Sequence, residues 1–205
     1  MRNAGIPDSE KKKEIRRKML ARRRALSDDE VKAKSLSLMK EILSLPEYQK
    51  AGTIMAFLAM KGESNLDLFI EKALSDGKKV YVPVCLPQRQ MEAGRLLDMD
   101  HFVKGPLGLR DLPKGYETIE PEKLDLVLIP AAAVDRMGNR IGMGAGYYDR
   151  FLTRISFEKR VAALWDFQVV DEVPSEPFDR KMAKIVTDKG MIEVKRGLSF
   201  GKEKD

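Results

Sequence analysis

A four-residue apolar run, Leu126-Val-Leu-Ile129, stands between Asp125 and Pro130; glycine then recurs at every second position, Gly142, Gly144 and Gly146, before a helical pattern opens at Tyr147. The run is too short for a helix and reads as a buried strand. Strand, glycine loop and helix start together leave few architectures open, and an α/β fold is the expected one. Alternating glycines have two readings. They let a chain turn tightly, or they let backbone N–H groups approach an anion at the positive end of a helix. The neighbours favour the second reading: Arg136 and Arg140 carry guanidinium forks suited to phosphate, and Asp149 is a hard carboxylate suited to magnesium. Tyr147 and Tyr148 add flat walls with hydroxyl tips. Neither Gly-Lys-Ser/Thr nor Gly-x-Gly-x-x-Gly occurs, which excludes the Walker loop and the dinucleotide fingerprint.

A chain of 205 residues suits one α/β domain, expected here over residues 1–195, with 196–205 a disordered tail rich in Gly, Lys and Glu. Its 43% hydrophobic and 34% charged content is that of a globular protein without a membrane span. The charged start has no apolar signal-peptide core, and one cysteine allows no internal disulfide, so a cytoplasmic location is expected. A single histidine, His101, and a single cysteine, Cys85, supply a histidine triad, a thiol relay or a zinc site poorly. Cys85 is expected in the core and His101 on the surface. The net charge of +6 favours anions without choosing among them.

Residues 8–26 read as a basic helix with Ile15, Met19 and Leu26 as its apolar stripe. Its cations are open to three readings: a solvated face, a small-ligand phosphate contact, or a nucleic-acid patch, the last disfavoured because no aromatic residues are interleaved. Lys12 and Arg16, four apart, share a face and can grip one polyphosphate. Ser27-Asp-Asp-Glu30 forms a capping box that opens a second helix ending at Pro46. Thr53–Ala59 reads as a buried strand, the Leu66–Leu74 stripe as a helix, and residues 79–84 as a strand. That βαβ unit implies a parallel sheet with ligands beyond the strands' carboxyl ends, where Glu63 falls as a helix cap or a ligand contact. Residues 85–123 are expected to form an irregular hairpin and a long loop. Tyr147–Ile155 reads as a helix, and Arg160–Trp165 and Ile185–Thr187 as further strands.

Arg140-Ile-Gly-Met-Gly-Ala-Gly-Tyr-Tyr-Asp149 closely resembles the glycine loop of the 5-formyltetrahydrofolate cyclo-ligase (methenyltetrahydrofolate synthetase) family. That family usually reads Arg-Leu-Gly-Arg-Gly-Gly/Lys-Gly-Tyr-Tyr-Asp, so Met143 and Ala145 depart from its pattern. The resemblance runs over roughly residues 11–192, and it is loose from 85 to 123, where Gly108-Leu-Arg-Asp111-Leu-Pro113 only approximates the family's Gly-Ile-x-Glu-Pro. Trp165, Asp166 and Gln168 fit its aromatic-Glu-x-Gln segment. Glu176 and Asp179 fit its x-Glu-x-His-Asp segment, with Phe178 where histidine is usual.

The resemblance implies a three-layer, Rossmann-like, mostly parallel sheet with helices on both faces (NagB/RpiA/CoA-transferase-like). It also implies ATP-dependent cyclisation of 5-formyltetrahydrofolate to 5,10-methenyltetrahydrofolate, with ADP and phosphate released. ATP would contact Lys12, Arg16, Arg140, Gly142, Met143, Gly144, Ala145, Gly146, Tyr147 and Tyr148. The folate would contact Leu58, Glu63 and Tyr147, magnesium would be held by Asp149 and Asp179, and Arg140 and Tyr147 would be catalytic. The expected partners are small molecules met by a monomer, with no membrane. The competing readings are a phosphate-binding enzyme on the same fold, a sugar-phosphate isomerase or CoA-transferase-like protein, and a nucleic-acid-binding protein using the first helix.

Overall fold

The computed structural model describes residues 7–105 and 109–195. Helix α1 (Asp8–Arg24), α2 (Asp28–Ser44) and the short α3 (Pro46–Lys50) precede β1 (Thr53–Met55). Next come α4 (Asp67–Ser75), β2 (Lys79–Leu86), β3 (Gln90–Leu96), β4 (Val103–Lys104), β5 (Arg110–Asp111) and β6 (Thr118–Ile119). Then follow β7 (Leu126–Ile129), β8 (Ala133–Asp135), β9 (Arg140–Ile141), α5 (Tyr147–Phe151), β10 (Arg160–Ala163), β11 (Val169–Val170), β12 (Lys184–Thr187) and β13 (Gly190–Glu193).

The main sheet runs β13-β12-β10-β7-β1-β2-β3-β6. Its five inner strands, β12 to β2, are parallel, and the outer β13, β3 and β6 are antiparallel to their neighbours. Period-2 alternation divides the core between the two faces. Leu126 and Leu128 join Leu38, Ile42, Phe69 and Ile70 of α2 and α4 on one face. Val127 and Ile129 join Phe151, Leu152 and Ile155 on the other. The sheet is thus covered on both sides, as a parallel sheet requires, and the three-layer expectation is met.

Helix α2 opens on the expected capping box: Ser27 Oγ accepts from Glu30 N–H, and Glu30 accepts from Ser27 N–H. Helix α1 lies outside the main sheet. Its Met19 packs with Ala132, Ala133, Ile141 and Val173 around a second sheet, β11-β8-β9, while Leu26 lies beyond the helix end.

Several elements are shorter than their apolar runs. β1 stops at Met55, with one further bond from Ala56 N–H to Tyr81 O, and Phe57 to Ala59 leave the sheet. β10 stops at Ala163, and Trp165 turns away to donate its indole N–H to Gly62 O at 3.2 Å. The helix from Tyr147 tightens into a 3₁₀ turn at Leu152–Arg154. β10 likewise has one further bond, from Leu164 N–H to Val186 O, and beyond these single bonds Phe57 and Trp165 are buried by packing. Residues 85–123 are more regular than expected, because β2 and β3 pair from Val80↔Leu96 to Leu86↔Gln90 as a long hairpin. Gly108 and the tail 196–205 lie outside the described residues.

Candidate active site

A cleft of about 690 Å³ opens at the carboxyl ends of β1 and β7, the place where open parallel sheets bind ligands. Every residue assigned a role above lines it: Lys12 and Arg16 from α1, Leu58 and Glu63 after β1, Arg140 through Asp149, and Asp179. Arg136 does not. It is exposed in the β8–β9 turn, pointing the phosphate reading to Arg140 alone. Cys85 also departs from expectation, since it is exposed on the cleft wall and not in the core; burial of its sulfur and then Asp111 push the thiol pKa up. His101 is on the surface as expected, bonded to Asp98.

The glycine loop joins β9, not the central β7, to α5. β7 runs out through Pro130 and Ala131 into the β8–β9 hairpin, and the loop begins only where that hairpin returns. Gly144 and Gly146 have φ of +95° and +75°, a left-handed backbone that side chains resist, and Gly146 caps α5. Gly142 is required for space: a Cβ there would sit 2.8 Å from Arg140 Nη1. Arg16 Nε donates to Gly142 O at 2.8 Å, and its guanidinium flanks Gly144. Gly144→Ala is therefore expected to cost about 1–2 kcal/mol of stability through its φ alone. Urea unfolding checks this, with Ala145→Gly as a control expected to change little.

Arg140 is buried (5% exposed). It donates to Asp149 Oδ1 at 2.8 Å and to Pro130 O at 3.2 Å, and its guanidinium carbon lies 5.7 Å from the Tyr148 ring centre. The buried Nε of Arg140 and the hydroxyl of Tyr148 have no protein partner. Burial, and then the Glu63 carboxylate, raise the Tyr148 pKa despite Arg140, which keeps the phenol protonated. A buried hydroxyl without a partner beside the cleft is a donor ready for a ligand atom.

Lys12 and Arg16 do not grip one point together. Lys12 Nζ donates to Glu176 Oε2 at 2.7 Å and to Asp179 Oδ2 at 2.6 Å, while Arg16 serves the glycine loop. Burial lowers the Lys12 pKa, but bonds to Asp179 and Glu176 outweigh it and hold the amine above its ordinary value. Glu176 was legible only as part of a motif, and its pairing with Lys12 joins residues 164 apart. Phe178 is 62% exposed with its ring centre 5.9 Å from Lys12 Nζ, a weak cation–π contact in place of a polar neighbour.

Glu63 is buried beside Arg23, whose Nη1 lies 3.3 Å from Glu63 Oε1, and it accepts from Met60 N–H at 3.1 Å. It is not a cap of α4, whose N-cap is Leu66 without a side-chain bond. Burial raises the carboxyl pKa, opposed by the Arg23 charge and the Met60 bond. Sequence reasoning left Arg23 on the solvated face, yet it sits one helical turn after Met19, on the same inward stripe as Lys12 and Arg16. Arg23 Nε and Trp165 Nε1 both donate to Gly62 O, which fixes the turn before Glu63. Gln168 secures the cleft floor by donating to Ala131 O and Ala132 O and accepting from Trp165 N–H.

Asp149 and Asp179 each have one oxygen held by protein donors and one with no donor among the described residues. Among the described residues no three His, Cys, Asp or Glu side chains gather as a metal site, and no helix is long and apolar enough to cross a membrane.

Residues 8–188 match the model of the 5-formyltetrahydrofolate cyclo-ligase family. The 5-formyltetrahydrofolate cyclo-ligase of Escherichia coli K12 is 31% identical over 174 residues, covering 81% of this chain and 94% of that protein. The mouse enzyme of the same name is 26% identical over 195 residues, covering 89% and 96%. The solution structure of Aquifex aeolicus 5,10-methenyltetrahydrofolate synthetase aligns with a TM-score of 0.80 at 29% identity, covering 94% of this chain and 97% of that one.

Proposed function

We propose that this chain, which belongs to the 5-formyltetrahydrofolate cyclo-ligase family, closes 5-formyltetrahydrofolate to 5,10-methenyltetrahydrofolate at the expense of ATP. The observation that carries the reading is convergence: cations and glycine amides from α1 and the 140–149 segment share one cleft with Leu58 and Glu63.

The chemical obstacle is the formamide oxygen, a poor leaving group. Transfer of the γ-phosphoryl group to that oxygen forms the P–O bond and breaks the bond to ADP. N10 then attacks the activated carbon and gives up its proton to solvent, the C–O bond breaks, and the oxygen departs on phosphate. The sequence needs positioning and charge neutralisation and no side-chain nucleophile, which agrees with the cleft's chemistry. Arg140, Arg16 and the glycine N–H groups would hold the phosphates, and Tyr147 would wall the gap between nucleotide and formyl group. Glu63 and Leu58 would hold the pterin, Glu63 accepting from its ring N–H and amino groups.

Asp149 and Asp179 suit magnesium, which takes one or two carboxylates together with phosphate oxygens. Magnesium would supply charge for the transferring phosphoryl. Lys12 would then exchange its two carboxylates for a phosphate. A monomer in the cytoplasm completes the reading. The nucleic-acid alternative loses ground because Lys12, Arg16 and Arg23 of α1 all turn toward the protein. The test mixes protein, magnesium-ATP and 5-formyltetrahydrofolate; the methenyl chromophore and equimolar ADP should appear together, and ADP without it refutes the cyclo-ligase reading.

Met143, half-exposed in the cleft, is apolar where a cation would face the transferring phosphoryl group. Met143→Arg is expected to raise kcat by about 10²-fold, the scale of one electrostatic donor. A kcat that stays flat while KM for ATP falls would mean that the added charge binds ATP without aiding transfer.

A further inference from the structure

The β2–β3 hairpin carries a cation that none of the roles above uses. β1 pairs with β2 only as far as Tyr81, whereas β2 runs on to Leu86, so the hairpin overhangs the sheet edge by roughly 17 Å. Pro83, Cys85 and Met91 of this overhang line the cleft, and Arg89 lines it at the tip. The strand order sets the hairpin beside β1, whose following loop carries Leu58 and Glu63.

The tip is held in an uncommon backbone. Gln88 and Arg89 have φ of +58° and +59°, and Gln90 N–H closes the turn on Pro87 O. Two successive left-handed residues suit a tight hairpin turn, but Asn-Gly or Gly-Gly would adopt it without strain, and Gln-Arg does not. Strain of this kind gathers at ligand clamps. Arg150, on α5 directly after the glycine loop, donates to Gln88 O at 3.0 Å and ties the tip down. Arg89 itself has no hydrogen bond or ion pair among the described residues. Among the other cleft cations, Lys12 and Arg140 face carboxylates and Arg16 and Arg150 serve backbone carbonyls, while Arg180, beside Asp179, keeps a buried Nε without a partner on the opposite, α1 side of the cleft from the hairpin tip.

We infer that Arg89 is the tail-recognition residue of the cleft, binding a carboxylate of the substrate's glutamate while Glu63 holds the pterin at the sheet edge. The inference rests on the folate reading above. A reduced folate places its pterin and its glutamate at opposite ends of an aromatic spacer, and the overhang offers an apolar wall between Glu63 and a free guanidinium. A guanidinium fork matches a carboxylate in a bidentate pair.

The test measures equilibrium dissociation constants of the full chain for 5-formyltetrahydrofolate and for 5-formyltetrahydropteroate, which lacks the glutamate. Wild type should prefer the former by about tenfold. Arg89→Ala should weaken 5-formyltetrahydrofolate about tenfold, leave 5-formyltetrahydropteroate unchanged and erase the preference, with Arg89→Lys between the two. Equal weakening of both ligands, or a preference that survives Arg89→Ala, overturns the assignment. If wild type binds neither ligand, the folate reading itself has failed, which is distinguishable from losing only the preference.

Discussion

Replacing Arg140 by alanine is expected to reduce cyclisation by about 10³-fold, the upper scale for one preorganised donor in an electrostatic site. The side chain does more than present charge. It holds Asp149 through one nitrogen and the Pro130 carbonyl through another, and it lies over the Tyr148 ring. Its removal misplaces the proposed magnesium ligand and leaves that carboxylate without its cation. Removing one member of a buried pair costs about 3–5 kcal/mol, and Asp149 is partly exposed, so the lower end applies. Arg140→Lys keeps the charge but loses the two-pronged geometry. It should retain most of the stability and little of the turnover. Methenyl absorbance followed beside thermal unfolding separates the effects; an Arg140→Lys enzyme at wild-type rate would show that only charge matters at this position.

Arg23→Ala is expected to be the most destabilising single change on the first helix. Arg23 and Glu63 are 3% and 6% exposed, so the substitution strands a buried carboxylate. The cost is about 3–5 kcal/mol, a fall in Tm of roughly 10 °C for a chain of this size. Its pH dependence has a definite sign. Glu63 has a folded-state pKa raised by burial, so the folded chain holds its proton more tightly than the unfolded chain. Its contribution to stability is full below the ordinary carboxylate pKa and is lost as pH rises through the raised value. Without Arg23 the opposing charge is gone and that pKa climbs further. The deficit of Arg23→Ala should therefore grow with pH and shrink in acid. Adding Glu63→Gln should restore part of the loss and flatten the pH profile, as read by urea unfolding between acid and neutral pH. A deficit independent of pH would mean that Arg23 stabilises through packing of its stem.

Much of the candidate site was legible because its parts are local. Gly142, Gly144 and Gly146 stand together in the chain, and two of them do need the left-handed backbone that only glycine takes easily. Lys12 and Arg16 were readable from helical spacing. The partners were not: Lys12 with Glu176 and Asp179, and Glu63 with Arg23, are contacts between distant segments, and neither composition nor periodicity reports them. Arg23 shows the difference. It belongs to a run of three arginines that reads as a solvated face, yet the stripe begun by Met19 turns it inward, a signal hidden by its charge. Cys85 misled in the opposite direction, because a lone cysteine by residue type reads as core, while β2 continues to Leu86 and its overhang beyond β1 leaves the thiol on the cleft wall.

Apolar runs and helical stripes indicated where the main helices and the central strands lie and which helix faces are buried, because those patterns depend only on residue spacing along the chain; they left open which strands pair. The strand ends did not follow from them: β1 and β10 stop early since burial continues past the last ladder bond. Tertiary structure alone decided that the glycine loop follows the β8–β9 hairpin, which cations meet carboxylates, and that Arg89 reaches the cleft from the hairpin tip. Charges act through space over a few ångströms, and only the folded chain sets those distances.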